Sequence, residues 1–300
     1  MTPSGVHQLL CASGILLAVA ACAAAQPPAA PAFDGTLALE HVRQLVAIGP
    51  RVAGTPGAQH ARDYITKEMA ALGLKVQEQA FEAKTPLGPA NMVNLRVTVP
   101  GAATSGRLIV AGHYDTRRFT DFTFVGANDG GSSAAFLIEL ARVLAARKNP
   151  LPIELLFLDG EEAVIEWQND DHTYGSRYYV DQARADGTLA SIRALVLVDM
   201  IGDANLRLPR EPNSTRWLVD AIWGAAKKLK RAEFVDEEFA VEDDHFPFLK
   251  AGVPAVDIID LEYPAWHTAA DTMDKLSARS LQTVGDVLLA ALPEIESRLR

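Results

Sequence analysis

The sequence has 300 residues, is 49% hydrophobic and carries a formal net charge of -10. This length is enough for one large domain or two small ones with a substantial apolar core. Because an acidic chain repels phosphate backbones, we do not expect nucleic acid as a partner.

The first 22 residues have the features of an export signal. An apolar run extends from Leu9 to Cys22 and is too short to cross a membrane comfortably. Its end, VAAC, resembles a bacterial lipobox, in which the cysteine is lipidated after cleavage. We therefore expect an exported, periplasmic protein with a signal peptide over 1–22 and a candidate lipid anchor at Cys22. A plain secretory signal, cut among the alanines, is the alternative.

Residues 23–34 are rich in proline and alanine, which is typical of a tether without core-forming content. The folded domain is therefore expected over 35–300. Both cysteines, Cys11 and Cys22, belong to the leader, so the mature chain has no disulfide and no thiol ligand or nucleophile. Any metal must be held by His, Asp and Glu side chains.

Helix and strand patterns alternate along the rest of the chain. The predicted order is helix 36–48, helix 55–73, strands 75–83, 92–101 and 106–115, helix 130–147, strand 153–162, helix 173–186, strand 193–202, helix 214–229, strand 254–261 and helix 277–299. The inner strands are continuous apolar runs, as expected of strands that are covered on both faces. The sequence therefore predicts a single-domain, three-layer α/β/α fold with a central, mostly parallel mixed sheet.

Polar residues follow four of these strands: His113 and Asp115, Glu161 and Glu162, Asp199, and Asp260. Binding sites of open α/β sheets lie outside the carboxyl ends of the strands, so we expect these side chains at one edge. With Asp129 and His267 added, the candidate metal ligands are His113, Asp129, Glu162, Asp199 and His267. Such a set can hold one zinc through three ligands, or two zincs that share a carboxylate.

The adjacent glutamates at the end of LFLDGEE suggest two different tasks. Neighbouring residues at a strand end point in different directions, so Glu162 can bind a metal while Glu161 faces the reacting group. Two unneutralised carboxylates this close would raise one pKa, and a cation relieves their repulsion. Glu161 is then a general acid–base residue. On this segment alone, a solvated acidic turn is the alternative.

In chain order, the segments HYD, ANDGG, DGEE, VDMIG and WHT resemble the family-28 zinc aminopeptidase group over roughly residues 40–295. Within that group, several stretches are more similar to glutaminyl cyclases: FVGANDGG (124–131), DGEEAVIEW, DDHTYGSRYY, VEDDHFPFLKAGVP and PAWHT. The resemblance implies a zinc exopeptidase fold of the phosphorylase/hydrolase-like type. It also implies a monomer whose substrates are the N-termini of peptides or proteins.

The resemblance also implies roles for individual residues. It implies a set of zinc ligands: Asp129, Glu162 and His267. It implies Glu161 as the acid–base residue, in a hydrogen-bonded carboxylate network with Asp199 and Asp243. The substrate pocket would be walled by Trp167, Trp266 and Tyr263. The implied reaction converts an N-terminal glutamine to pyroglutamate and releases ammonia, with one zinc as the cofactor.

A dizinc aminopeptidase of the same group is the alternative activity. It would use His113 and Asp199 as the additional ligands of a second zinc, and Glu161 would activate a bridging water. GGSS (130–133) resembles the glycine-rich run of the peptidases, and Asp257 stands where animal cyclases tend to carry histidine.

Two tryptophans favour the cyclase, because Trp167 and Trp266 would crowd a site built for a general peptide side chain. A third class, a binding lipoprotein without catalysis, would have little reason to keep Glu161 beside Glu162. We therefore expect an enzyme with one zinc if it is a cyclase and two if it is an aminopeptidase.

Overall fold

The computed structural model describes Met1 and residues 31–299. The predicted signal peptide, including Cys22, and most of the tether lie outside the described residues. Phe33 and Asp34, which the sequence places in the tether, belong to the folded domain instead. The ring of Phe33 packs against Phe136 with centroids 4.9 Å apart, and the Asp34 carboxylate accepts hydrogen bonds from two N–H groups of the first helix.

The regular elements follow the predicted order. The helices are α1 (Gly35–Ile48), α2 (Pro56–Ala71), α3 (Gly131–Ala146), α4 (Tyr174–Ala185), α5 (Arg216–Lys228), α6 (His245–Lys250) and α7 (Ala278–Leu299). The strands are β1 (Val76–Thr85), β2 (Gly88–Val99), β3 (Arg107–His113), β4 (Ile153–Leu158), β5 (Ile192–Asp199), β6 (Leu208–Arg210), β7 (Phe234–Glu238) and β8 (Ala255–Ile259). Strands β6 and β7 are not predicted, because they are short and β7 is mostly acidic and exposed.

The central sheet has six strands in the order β1-β2-β4-β3-β5-β8. Strands β4, β3, β5 and β8 are parallel, whereas β1 and β2 form an antiparallel extension. This arrangement confirms the predicted single-domain α/β fold with a mixed, mostly parallel sheet. The connections from β3 to β4 and from β4 to β5 lead to opposite sides of β3, which opens a crevice at the carboxyl end of that strand.

Helices cover both faces of the sheet and produce the three layers. One core contains residues of α1, α2, α3, α5 and α7 with one set of strand side chains, among them Val110 and Leu155. The other core joins α4 and α6 to the alternate set, among them Ile109 and Leu156. Burial on both faces explains why β3, β4 and β5 are continuous apolar runs.

Within the part of the chain that the structure describes, no helix has both the length and the apolar character needed to span a bilayer.

Candidate active site

The carboxyl ends of the parallel strands bring the predicted polar residues to one edge of the sheet. His113 ends β3, Glu161 and Glu162 lie in the turn after β4, and Asp199 ends β5. The turn that carries Asp129 requires glycine at its next position, because Gly130 has φ +73° and a Cβ there would collide with the carbonyl oxygen of residue 115. The edge therefore collects donors from three strands and from the turn before α3.

One group of donors is formed by Asp129, Glu162 and His267. The Nε2 atom of His267 lies 3.3 Å from Asp129 Oδ2 and 3.2 Å from Glu162 Oε1. Asp129 Oδ2 and Glu162 Oε2 are both buried, and neither has a hydrogen-bond partner among the described residues. Two unpaired buried carboxylate oxygens beside an imidazole nitrogen fit a divalent cation, and this donor set is one that zinc accepts.

A second group shares one residue with the first. His113 Nε2 lies 3.0 Å from Asp199 Oδ1 and 3.3 Å from Asp129 Oδ1. Asp129 therefore directs its two oxygens to different groups, as a bridging carboxylate does in a two-metal site. Asp260 is not part of either group; its carboxylate accepts a hydrogen bond from the Arg207 N–H at 3.0 Å.

His267 is held in an uncommon backbone conformation. Its φ is +53°, and Met200, directly after Asp199, has φ +48°. Residues other than glycine rarely adopt this left-handed region, and each instance costs about 1–3 kcal/mol. At the second position, the Met200 N–H donates to Asp199 Oδ1 at 2.8 Å. One strained position is therefore a candidate ligand, and the other directly follows one.

Asp271, which the sequence analysis does not single out, supports the loop that carries Asp129. Its carboxylate accepts hydrogen bonds from the N–H of Asn128 at 2.8 Å and of Asp129 at 3.1 Å. It also accepts one from the hydroxyl of Tyr263 at 2.9 Å. Tyr263, predicted as a wall of the substrate pocket, is buried with its hydroxyl on Asp271 and is not among the residues that line the pocket described below.

Arg51, which is not among the residues predicted from the sequence, organises the other side of the same loop. The guanidinium is fully buried and donates to the carbonyl oxygens of Tyr114, Val125 and Gly126 at 2.7–2.9 Å. It thereby joins the segment after β3 to the segment before Asp129. A lone arginine in a turn gives no sequence signal for this role.

Replacing Arg51 with methionine is expected to lower the free energy of unfolding by about 3 kcal/mol, because three buried carbonyl groups lose their donor. Urea denaturation of the wild type and the variant measures this difference. Arg118→Met, which removes an exposed arginine from a nearby loop, is the matched control. A change within about 0.5 kcal/mol for Arg51→Met would contradict the role.

The predicted catalytic carboxylates, Glu161, Asp199 and Asp243, line one pocket. Burial and the charge of Asp243 raise the pKa of Glu161 well above its ordinary value, although His113 opposes the shift. Burial and the charge of Asp199 raise the pKa of Asp243 to about 6. Among the described residues no hydrogen bond joins these three carboxylates directly, so the structure places them together without the predicted bonded network.

The pocket is a cavity of about 380 Å³ beside the candidate ligands, which lies within the usual range for small-molecule sites. Trp167 and Trp266 both line this cavity. The indole of Trp266 stacks on the imidazole of His267 with ring centroids 4.4 Å apart. Arg117, which was not predicted from the sequence, also lines the pocket. Its backbone N–H donates a hydrogen bond to Glu162 Oε1 at 3.1 Å.

The family model of peptidase family M28 matches residues 94–292 of the chain. The glutaminyl-peptide cyclotransferase-like protein of Mus musculus is 32% identical over 286 residues, and the match covers 84% of this chain and 73% of the mouse protein.

The solved structures that resemble this fold include proteins named glutaminyl cyclase and a protein named leucine aminopeptidase precursor. A glutaminyl cyclase from an Acidobacteriales bacterium is 40% identical with a TM-score of 0.85, covering 93% of this chain and all of that one (100%). A leucine aminopeptidase precursor from Bacteroides thetaiotaomicron is 28% identical with a TM-score of 0.80, covering 88% of this chain and 98% of that one.

Proposed function

The chain belongs to peptidase family M28, and we propose that within this family it is a zinc-dependent glutaminyl-peptide cyclotransferase. It would convert an N-terminal glutamine of peptides to pyroglutamate and release ammonia. The observation that carries this proposal is the three-donor group of Asp129, Glu162 and His267 beside a buried Glu161, in a pocket walled by two tryptophans. The similarity to proteins named glutaminyl cyclases supports it.

Asp129, Glu162 and His267 are the residues that would hold the zinc. When bound, zinc supplies a Lewis acid that polarises the γ-carbonyl group of the substrate glutamine. Carboxylates are in excess among the residues that line the pocket. Apart from His267, Arg117 is the one lining residue with a cationic side chain. This balance favours binding of the N-terminal ammonium group, whose nitrogen can attack the γ-carbonyl carbon once it has lost a proton.

We assign the proton transfer to Glu161. It lines the pocket, it is buried, and its Oε2 lies 3.8 Å from His113 Nδ1. In the proposed reaction it accepts a proton from the α-amine and returns it to the departing ammonia. The nucleophile is the substrate's own amine, so the protein contributes orientation and electrostatics rather than a nucleophile.

A dizinc aminopeptidase is the second candidate. The group of His113, Asp129 and Asp199 favours it, because Asp129 bridges this group to the first one. The leucine aminopeptidase precursor among the similar structures favours it as well. In that reaction Glu161 would activate a water, and the product would be a free N-terminal amino acid.

Offering the purified protein peptides that begin with glutamine or with leucine distinguishes the two activities. We expect ammonia release and a mass loss of one ammonia molecule from the glutamine peptide, with the leucine peptide unchanged. Mass spectrometry of both peptides and an ammonia assay measure this. Free leucine from the second peptide, with no change in the first, would establish the aminopeptidase and contradict the proposal.

A further inference from the structure

Trp167 belongs to a segment without regular secondary structure, residues 163–172, which we name the tryptophan loop. The loop is closed at its base by hydrogen bonds from Thr173 N–H to the Glu161 carbonyl and from Tyr174 N–H to the Gly160 carbonyl, both 2.8 Å. It therefore begins and ends beside the proposed acid–base residue. Trp167 itself is only half-buried, so core packing does not hold its indole in the pocket.

The carboxylate of Asp171 lies inside the tryptophan loop and is buried. Its Oδ2 accepts hydrogen bonds from the N–H of Ile165 at 2.8 Å and of Glu166 at 3.1 Å. Its Oδ1 accepts from the N–H of Val164 at 3.1 Å and the hydroxyl of Tyr174 at 2.6 Å. One side chain thus satisfies three consecutive backbone donors and ties them to the first residue of α4.

The next residue supports the indole directly. The imidazole of His172 stacks on Trp167 with ring centroids 4.3 Å apart and an angle of 12° between the planes. His172 is buried, and burial lowers its pKa, which favours the uncharged ring. Flat contact between two rings restricts the indole to one orientation without a core around it.

We propose that Asp171 and His172 are positioning residues that fix Trp167 as a wall of the substrate pocket: Asp171 shapes the backbone that carries the indole, and His172 supports its face. The consequence for substrate rests on the proposed function, in which the pocket binds the N-terminal glutamine. Since neither residue lines the pocket or belongs to the candidate ligand groups, each acts through Trp167.

The first test is Asp171→Asn. An asparagine amide nitrogen cannot accept hydrogen bonds, so two of the four donors lose their partner. We expect KM for a glutamine peptide to rise about ten-fold, kcat to stay within about three-fold and zinc content to remain unchanged. Asp170→Asn is the matched control, because the side chain of Asp170 is 88% exposed and forms an ion pair with Arg177 at 3.4 Å. Loss of zinc in Asp171→Asn would overturn the proposal by assigning Asp171 to the metal centre.

The second test asks whether a flat ring at position 172 is enough to support the indole, and one of its two readouts, the fluorescence emission of Trp167, does not require turnover. We expect His172→Ala to raise KM and shift the Trp167 emission, and His172→Phe, which keeps a flat ring, to restore both. The Trp167 emission is the difference between each variant and the same variant carrying Trp167→Phe.

Wild-type KM and Trp167 emission in both Asp171→Asn and His172→Ala would overturn the proposal. If Asp171→Asn does not fold, the comparison of His172→Ala with His172→Phe still tests the proposal. If the wild type turns over no glutamine peptide, the proposed function fails, and the emission of Trp167 still shows whether the two residues position it.

Discussion

Replacing Glu161 with glutamine is expected to lower kcat for the glutamine peptide by about a thousand-fold while zinc stays bound. Glutamine has the same size and can occupy the same buried position, but it cannot take a proton from the α-amine. Burial and neighbouring carboxylates already raise the pKa of Glu161, which suits a residue that must both accept and return a proton. Steady-state kinetics and elemental analysis of zinc measure the two parts of this result.

Glu166→Gln is the control for this experiment, because it makes the same chemical change on an exposed residue five positions further along the same segment. We expect that variant to retain wild-type kcat. Full activity in Glu161→Gln would contradict the acid–base assignment. Loss of zinc in Glu161→Gln would instead place Glu161 among the ligands and leave the proton transfer to another group.

The fold and the donor set could be predicted because their signals are local in the sequence. Apolar runs mark β3, β4 and β5, and the residue that follows each run lies at the same edge of a parallel sheet. His113, Glu162 and Asp199 were therefore predictable as neighbours. Asp129 and His267 lie in loops, and only their motifs, ANDGG and WHT, identified them.

The supporting residues could not be predicted in the same way. Arg51 donates to carbonyl oxygens 63 to 75 residues away, and Asp271 accepts from amides more than 140 residues away. Such contacts depend on tertiary packing and leave no periodic pattern. Tyr263 is the converse case: the resemblance implied a pocket wall, but its hydroxyl donates to the buried carboxylate of Asp271, and a buried tyrosine hydroxyl usually has such a partner.

Replacing Asp129 with asparagine is expected to lower zinc affinity by at least about a hundred-fold and to abolish cyclisation, because this residue contributes to both candidate groups. Competition with a chromophoric chelator measures the affinity, and elemental analysis gives the stoichiometry. His113→Asn is the matched variant: it alters only the second group and keeps a donor for Asp199, which lies 3.0 Å from the imidazole.

The zinc contents of Asp129→Asn and His113→Asn together distinguish a centre with one zinc ion from a centre with two. If the protein is the cyclase that we propose, the wild type and His113→Asn should each hold about one zinc per chain, and Asp129→Asn should hold almost none. Two zincs in the wild type, falling to one in His113→Asn, would contradict a single-zinc centre. Together with release of free leucine, that result would favour the aminopeptidase, in which Asp129 would be a ligand of both zinc ions. Wild-type zinc affinity in Asp129→Asn would contradict the metal centre itself, because Asp129 belongs to both groups of candidate ligands that the described residues form.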